Sequence, residues 1–121
     1  MTRTIMTVDD SISMRQMVKA TLQSAGYGVV EAADGEEALE YARQNTVDLV
    51  ISDVNMPRMD GITLVHQLRA LSTYRLTPLL LLTTESSQEK KLEGKRAGAT
   101  GWIVKPFNPA QLLATLEKLL Q

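Results

Sequence analysis

The sequence predicts an open, doubly wound α/β fold, (βα)5, in which five short parallel strands alternate with five helices. Three observations carry that prediction. Short apolar runs alternate with stripes of helical period, cap signals stand at the starts of three of those stripes, and the central runs are apolar without a break. A strand covered on both faces has no polar side to show, so unbroken apolar runs point to a parallel sheet between two helix layers. Strands joined through helices return by right-handed crossovers, which closes the choice of handedness.

The first strand is Ile5–Val8, too short for a helix and rich in β-formers. Met14, Met17, Val18 and Leu22 follow at helical spacing. A weaker run, Tyr27–Val30, makes the second strand; it ends without a polar residue of note and fits a sheet edge remote from any site. The next helix carries Ala38, Leu39 and Ala42 on one stripe and begins with Asp34 followed three residues later by Glu37, the spacing of a capping box. Val47–Ile51 is the third strand, and Leu64, Val65, Leu68 and Leu71 form the stripe behind it. Leu79–Leu82 is the fourth. The segment Ser86–Gly98 opens with Ser86 and Glu89 at capping-box spacing, but its apolar anchors are mainly Leu92 and Ala97. Gly94 within it costs about 1 kcal/mol against alanine, so this helix is expected to be weakly anchored. Trp102–Val104 is the fifth strand. The last helix shows Leu112, Leu113, Leu116 and Leu120 behind Asn108, with Pro109 at its first position and Gln111 completing the cap pattern.

With 121 residues, 44% of them hydrophobic, the chain is expected to form one domain over residues 1–121. No linker, repeat or low-complexity tract divides it. Thirteen Lys+Arg against 14 Asp+Glu give a net charge of -1, which is no footprint for nucleic acid. The absence of cysteine excludes disulfides, zinc thiolates and thiol catalysis, and a single histidine cannot build a His-cluster metal site. Any bound metal must therefore be held by oxygen. No apolar stretch approaches membrane-spanning length and the N-terminus lacks a secretory pattern, so a cytoplasmic protein with no membrane or nucleic-acid partner is expected.

In a doubly wound fold, ligands bind beyond the carboxyl ends of the strands, so the residues that follow each apolar run are the ones to weigh. They are Asp9, Asp10, Asp53, Thr83 and Lys105. Three carboxylates converging on one crevice resist ionisation unless a cation offsets them. An all-oxygen site of this kind suits Mg²⁺, which takes one or two carboxylates, keeps waters and leaves room for a phosphate. Lys105 adds a second cation, Thr83 a hydroxyl donor, and a carboxylate remains as nucleophile. The chemistry this set supports is phosphoryl transfer to an aspartate.

The segments Val8-Asp9-Asp10-Ser11, Asp53-Val54-Asn55-Met56-Pro57, Asp60-Gly61, Thr83-Thr84-Glu85 and Lys105-Pro106-Phe107 resemble the receiver domain of two-component response regulators. The likeness spans the whole chain and is nearest to chemotaxis regulators of the CheY type. It implies the flavodoxin-like strand order 2-1-3-4-5, for which CheY is itself a type example. It further implies that Asp53 accepts a phosphoryl group from a sensor histidine kinase, and that Asp10, Asp53 and the Asn55 carbonyl hold Mg²⁺, with Asp9 acting mainly through metal-bound water. Thr83 and Lys105 would each engage a phosphoryl oxygen. Trp102 stands where the family keeps a Tyr or Phe that follows the switch, and Asn55 and Glu85 stand where it tunes dephosphorylation. The output face would be the fourth helix, fifth strand and last helix, with a flagellar motor switch protein as target and a phosphatase as a further partner. Such a protein is a phosphoacceptor that assists its own phosphorylation and dephosphorylation, not an enzyme with turnover.

Each residue also has a plainer reading. Asp9-Asp10 after a strand makes an ordinary turn or cap, Asp53 can cap the turn before Pro57, and Thr83 can satisfy backbone at a strand end. Lys105-Pro106 serves as a bend, with a cis bond implied by the family likeness alone. His66 lies beside the apolar positions of its helix, on the solvent side. Four other functions compete: a phosphate sink, a phosphate-independent adaptor, a phosphatase of the haloacid-dehalogenase type and a flavin carrier. The phosphatase pattern wants an acid two residues past the nucleophile, where this chain has Asn55. The flavin carrier wants a glycine- and hydroxyl-rich loop where this chain has Asp9-Asp10.

Overall fold

The computed structural model describes residues 2–84 and 87–121. Five parallel strands, β1 (Thr4–Val8), β2 (Gly28–Ala32), β3 (Leu49–Asp53), β4 (Leu79–Thr83) and β5 (Gly101–Val104), lie side by side in the order β2-β1-β3-β4-β5. Between and after them run α1 (Ile12–Ser24), α2 (Gly35–Gln44), α3 (Gly61–Arg69), α4 (Gln88–Ala97) and α5 (Pro109–Leu119), with a 3₁₀ turn at Ser72–Tyr74. This is the doubly wound arrangement the sequence predicts, in the flavodoxin-like order that the family likeness implies, and β2 lies at an edge as expected. The order reverses between β1 and β3, which opens a crevice beyond their carboxyl ends.

Alternation along the strands divides the interior into two cores. Met6, Val8, Val50, Leu79 and Leu81 point to one face, where Ala38, Leu39 and Ala42 of α2 and Leu64, Val65 and Leu68 of α3 cover them. Ile5, Leu49, Ile51, Leu80 and Leu82 point to the other, under Val18 and Leu22 of α1 and Leu112, Leu116 and Leu120 at the end of the chain. Each fully buried leucine or isoleucine contributes about 1.5–3 kcal/mol. Two of the caps match expectation in detail, Asp34 accepting from the Glu37 amide and Asn108 from Gln111, and α1 has a further cap in Ser11, which accepts from the Met14 amide.

Several boundaries and stripes differ from the sequence reading. The third strand runs from Leu49 to Asp53, two residues later than Val47–Ile51, because Val47 is buried by packing outside the ladder while polar Ser52 and Asp53 lie within it. Strand hydrogen bonds use backbone, and the Ser52 hydroxyl is satisfied by donating to the Asp53 carbonyl at 2.8 Å. The second strand likewise ends at Ala32, not Val30. Met17, expected on the buried stripe of α1, is 57% exposed, and Leu92, expected to anchor α4, is 48% exposed. The N-cap of α4 is Ser87, which accepts from the Lys90 amide, so the helix starts one residue later than the Ser86–Glu89 pairing implies; Ser86 lies outside the described residues.

The weak anchoring of α4 holds, but the role of Gly94 differs. It is the buried residue of that helix, and a Cβ on it would stand 2.9 Å from Leu81 Cδ1 and 3.1 Å from Trp102 Cζ3. Glycine there lets α4 lie close against β4 and β5. Arg69 at the end of α3 ties the same region together, donating to the carbonyls of Gly98, Tyr74 and Thr77 at 2.9, 2.7 and 2.7 Å. Among the described residues, no helix is long and apolar enough to cross a membrane.

Candidate functional site

The crevice collects its side chains because strands β1, β3 and β4 end within two residues of one another in register. Asp9 follows β1, Asp53 is the last residue of β3, Thr83 the last of β4, and Lys105 follows β5. The Lys105 amide donates to the Thr83 carbonyl at 2.7 Å, which carries the β4–β5 ladder one step further and sets where the lysine leaves the sheet. The Lys105–Pro106 peptide bond is cis.

Asp9, Asp10 and Asp53 each bring a carboxylate oxygen within 4.8 Å of the others. Asp9 and Asp53 are buried, whereas Asp10 faces solvent. Lys105 Nζ lies 3.1 Å from Asp53 Oδ1 and 3.6 Å from Asp9 Oδ2. Thr83 is fully buried at the end of its strand. Asn55 is exposed on the β3–α3 loop, two residues past Asp53. Glu85, expected as part of the switch, lies outside the described residues. His66 is exposed on α3, as expected.

Backbone contacts hold these acids in place. The Ser11 amide donates to Asp9 Oδ1 at 2.9 Å, and Arg15 Nη1 donates to the Asp9 carbonyl at 2.6 Å while its Nε reaches Glu31 of β2 at 3.2 Å. The Val54 amide donates to Asp53 Oδ1 at 2.9 Å. Gly61 closes in from behind: its amide donates to the Val54 carbonyl at 2.9 Å, and a Cβ on it would fall 2.1 Å from the Asp53 carbonyl oxygen. The sequence reading noted Asp60-Gly61 as a motif without assigning this packing. It also missed Arg15, whose one signal is a basic residue one helical turn past the acidic pair.

Burial pushes the Asp53 carboxyl above its ordinary value, and the Asp9 charge pushes it the same way, against the opposing pull of Lys105. Among the described residues, three carboxylates face one ammonium in this crevice, an excess of acid over base. An all-oxygen donor set with that excess fits a divalent, hard cation such as Mg²⁺. Asp53 Oδ1 already faces Lys105 and the Val54 amide, so Oδ2 is the oxygen left to react or ligate. The structure thus gathers Asp9, Asp10, Asp53 and Lys105 at one crevice, with Thr83 buried at the adjoining end of β4.

Trp102 belongs to β5, where it pairs with Leu81, and its ring packs beside Gly94 of α4. Its Nε1 is buried without a hydrogen-bond partner among the described residues. A buried donor left unpaired costs about 1–3 kcal/mol, so the indole is held here against a penalty that a phenylalanine would not carry.

The family profile described as the response regulator receiver domain matches residues 5–117. Chemotaxis protein CheY-3 of Vibrio cholerae is 39% identical over 118 residues, which cover 97% of this chain and 91% of that protein. Response regulator GtcR of Aneurinibacillus migulanus is 36% identical over 121 residues, all of this chain and 49% of that one. Among solved structures, chemotaxis protein CheY4 of Vibrio cholerae matches with a TM-score of 0.95 and 57% identity, covering 99% of this chain and 100% of the other. The receiver domain of sensor histidine kinase PA1611 from Pseudomonas aeruginosa PAO1, with a magnesium ion coordinated in its active site cleft, matches with a TM-score of 0.92 and 28% identity, covering 99% and 98%.

Proposed function

The chain belongs to the response regulator receiver domain family, and from that membership we propose that it is a stand-alone phosphorylation switch loaded on Asp53 by a sensor histidine kinase. Members of this family are signalling proteins and not conventional enzymes. The observation that carries the reading is the buried Asp53 carboxylate, paired with Lys105 and standing within 4.8 Å of two further acids.

In this reading Asp53 Oδ2 attacks the phosphorus of a phosphohistidine in line, the P–N bond breaks with its electron pair returning to the imidazole, and an aspartyl phosphate remains. The Lys105 ammonium passes from Asp53 Oδ1 to a phosphoryl oxygen, and the Thr83 hydroxyl donates to another. Asp10, Asp53 and the Asn55 carbonyl would hold Mg²⁺, with Asp9 contributing mainly through water, and the ion would supply neutralisation of the charge gathering on the phosphoryl oxygens. Thr83, Trp102 and Glu85 carry the change to the surface of α4, β5 and α5. The phosphoryl group alters that surface only by the difference in its interactions with the two conformers.

The target in this reading is a protein of the flagellar motor switch, in a cytoplasmic chemotaxis pathway, with a phosphatase resetting the signal. The support is the CheY-3 and CheY4 likeness over nearly the full length of both chains. Intact mass after incubation with a small acyl-phosphate donor tests the chemistry. One Mg²⁺-dependent phosphoryl adduct on the wild type, absent from Asp53→Asn, is the expected result; no adduct under any condition leaves a phosphate-independent adaptor.

A further inference from the structure

The loop between β3 and α3 carries Asn55, and its tip is fastened to a different part of the molecule from its base. The base is closed by the Gly61 amide on the Val54 carbonyl. At the tip the Met59 amide donates to the Pro57 carbonyl at 2.7 Å, a three-residue turn centred on Arg58. Arg58 has φ +66, a left-handed conformation that a non-glycine residue adopts only where its surroundings hold it there.

What holds it is the start of α2. The Arg58 guanidinium pairs with Asp34 Oδ2 and lies 3.8 Å from Glu36 Oε2. Asp34 is the N-cap of α2, with its other oxygen taken by the Glu37 amide, so the guanidinium docks on a carboxylate that the helix already fixes. Beside this pair the loop and helix are in close contact: a Cβ on Gly35 would stand 2.8 Å from the Met59 carbonyl oxygen. Asn55, Pro57 and Arg58 are otherwise exposed. Among the described residues, Arg58 makes the loop's polar contact with a neighbouring element.

We propose that Arg58 is a positioning residue: its ion pair with Asp34 latches the β3–α3 loop to α2 and thereby sets the place of the Asn55 carbonyl toward the divalent cation. This rests on the reading of the crevice as a Mg²⁺ site. Arg58 touches neither the acids nor the phosphoryl group and acts only through the loop backbone.

The test separates backbone strain from the latch. Arg58→Gly removes the guanidinium yet accepts the left-handed turn more readily than arginine, so a purely conformational role predicts no loss. Asp34→Ser removes the carboxylate and keeps a cap acceptor for the Glu37 amide. Two readouts are taken at low and at high salt: amide hydrogen exchange at Asn55–Met59 in metal-free protein, and Mg²⁺ affinity followed by Trp102 fluorescence. Each variant is expected to raise the exchange rate and to weaken Mg²⁺ binding about five-fold at low salt, with the double variant no worse than either single one. The gap from wild type shrinks at high salt, because the Arg58 side chain is 61% exposed and its pairing is screened. Exchange and affinity within two-fold of wild type overturn the latch. Faster exchange with unchanged affinity overturns the positioning role alone, and a wild type that binds no Mg²⁺ overturns the reading of the crevice together with it.

Discussion

Gly94 and Trp102 fit each other: the missing side chain of one makes the space into which the ring of the other packs. An alanine at an exposed helix interior position gains about 1 kcal/mol over glycine, but here the added methyl meets Leu81 and the indole. Leu81 is fully buried and cannot retreat, whereas Trp102 is half-buried and can. Gly94→Ala is therefore expected to turn the indole outward at a net cost of about 1 kcal/mol, the lower end of overpacking penalties. Trp102 is the single tryptophan, so a red-shifted emission maximum reads the displacement directly. An unshifted spectrum with raised stability would mean that the contact does not constrain the ring.

The direction of the Asp53 shift sets a pH dependence. Its carboxyl is raised in the folded protein by burial and by Asp9, so the folded state binds this proton more tightly than the unfolded chain. The stabilising contribution of the protonated form is complete below the unfolded value and is lost as pH rises through the folded one. At neutral pH the ionised carboxylate is thus a burden on the metal-free protein. Asp53→Asn is expected to be more stable than wild type at pH 7 without Mg²⁺, with the gap closing as pH falls through the raised value. Urea denaturation at several pH values measures it, and a gap that widens toward acid would contradict the sign.

Mg²⁺ should reverse that burden. At one hundred times its dissociation constant, a ligand confined to the folded state adds about 2.7 kcal/mol. Asp10 is exposed, so Asp10→Asn is expected to leave the metal-free stability within about 0.5 kcal/mol of wild type while abolishing most of the Mg²⁺ increment. Thermal unfolding with and without Mg²⁺, against Ca²⁺ and high-salt controls, distinguishes binding from screening.

Gly61 has no room for a side chain, because the obstacle is the backbone oxygen of Asp53 at 2.1 Å and not a flexible tip. Gly61→Ala must move the end of β3 at Asp53 or the start of α3. A loss of about 3 kcal/mol is expected, at the upper end of overpacking penalties, together with loss of the Mg²⁺-dependent adduct. Urea denaturation and intact mass on the same preparation test both parts.

Arg69 satisfies carbonyls from two separate segments, Tyr74 and Thr77 before β4 and Gly98 after α4, and burial pulls its guanidinium below the ordinary arginine value with no carboxylate partner among the described residues to oppose this. Arg69→Lys keeps the charge but not the fork. Its cost is expected to approach that of Arg69→Ala, about 2 kcal/mol from carbonyls left short of a donor. Near-complete rescue by lysine in urea denaturation would show that charge, not geometry, is what the site needs.

The strands and the residues of the crevice were legible in the sequence, since apolar runs between helical stripes and polar residues at their carboxyl ends are local signals, whereas the strand order followed from the family likeness. The details that escaped are tertiary. Nothing near Met17 or Leu92 in the sequence says that α1 and α4 turn those side chains to water, because helical period fixes a stripe's spacing and not which residue at its margin is covered. Ser52 and Asp53 look like loop residues until the ladder is seen to continue through them. Gly94 reads as a propensity defect until Trp102, eight residues later, is placed against it. Arg58, Arg69 and Arg15 pair with a helix cap, loop carbonyls and a strand carboxylate that no local pattern marks as their partners, and composition treats all three as solvated surface.

The division of the interior into two separate cores bears on how such a chain can diversify. Side chains at Leu79 and Leu81 meet one helix layer and those at Leu80 and Leu82 the other, so neighbouring codons of one strand answer to different constraints. Substitutions on opposite faces share few contacts, and their effects are expected to add. The α1–α5 layer and the opposite layer of α2, α3 and α4 can then drift separately, each lineage of changes proceeding without compensation from the other.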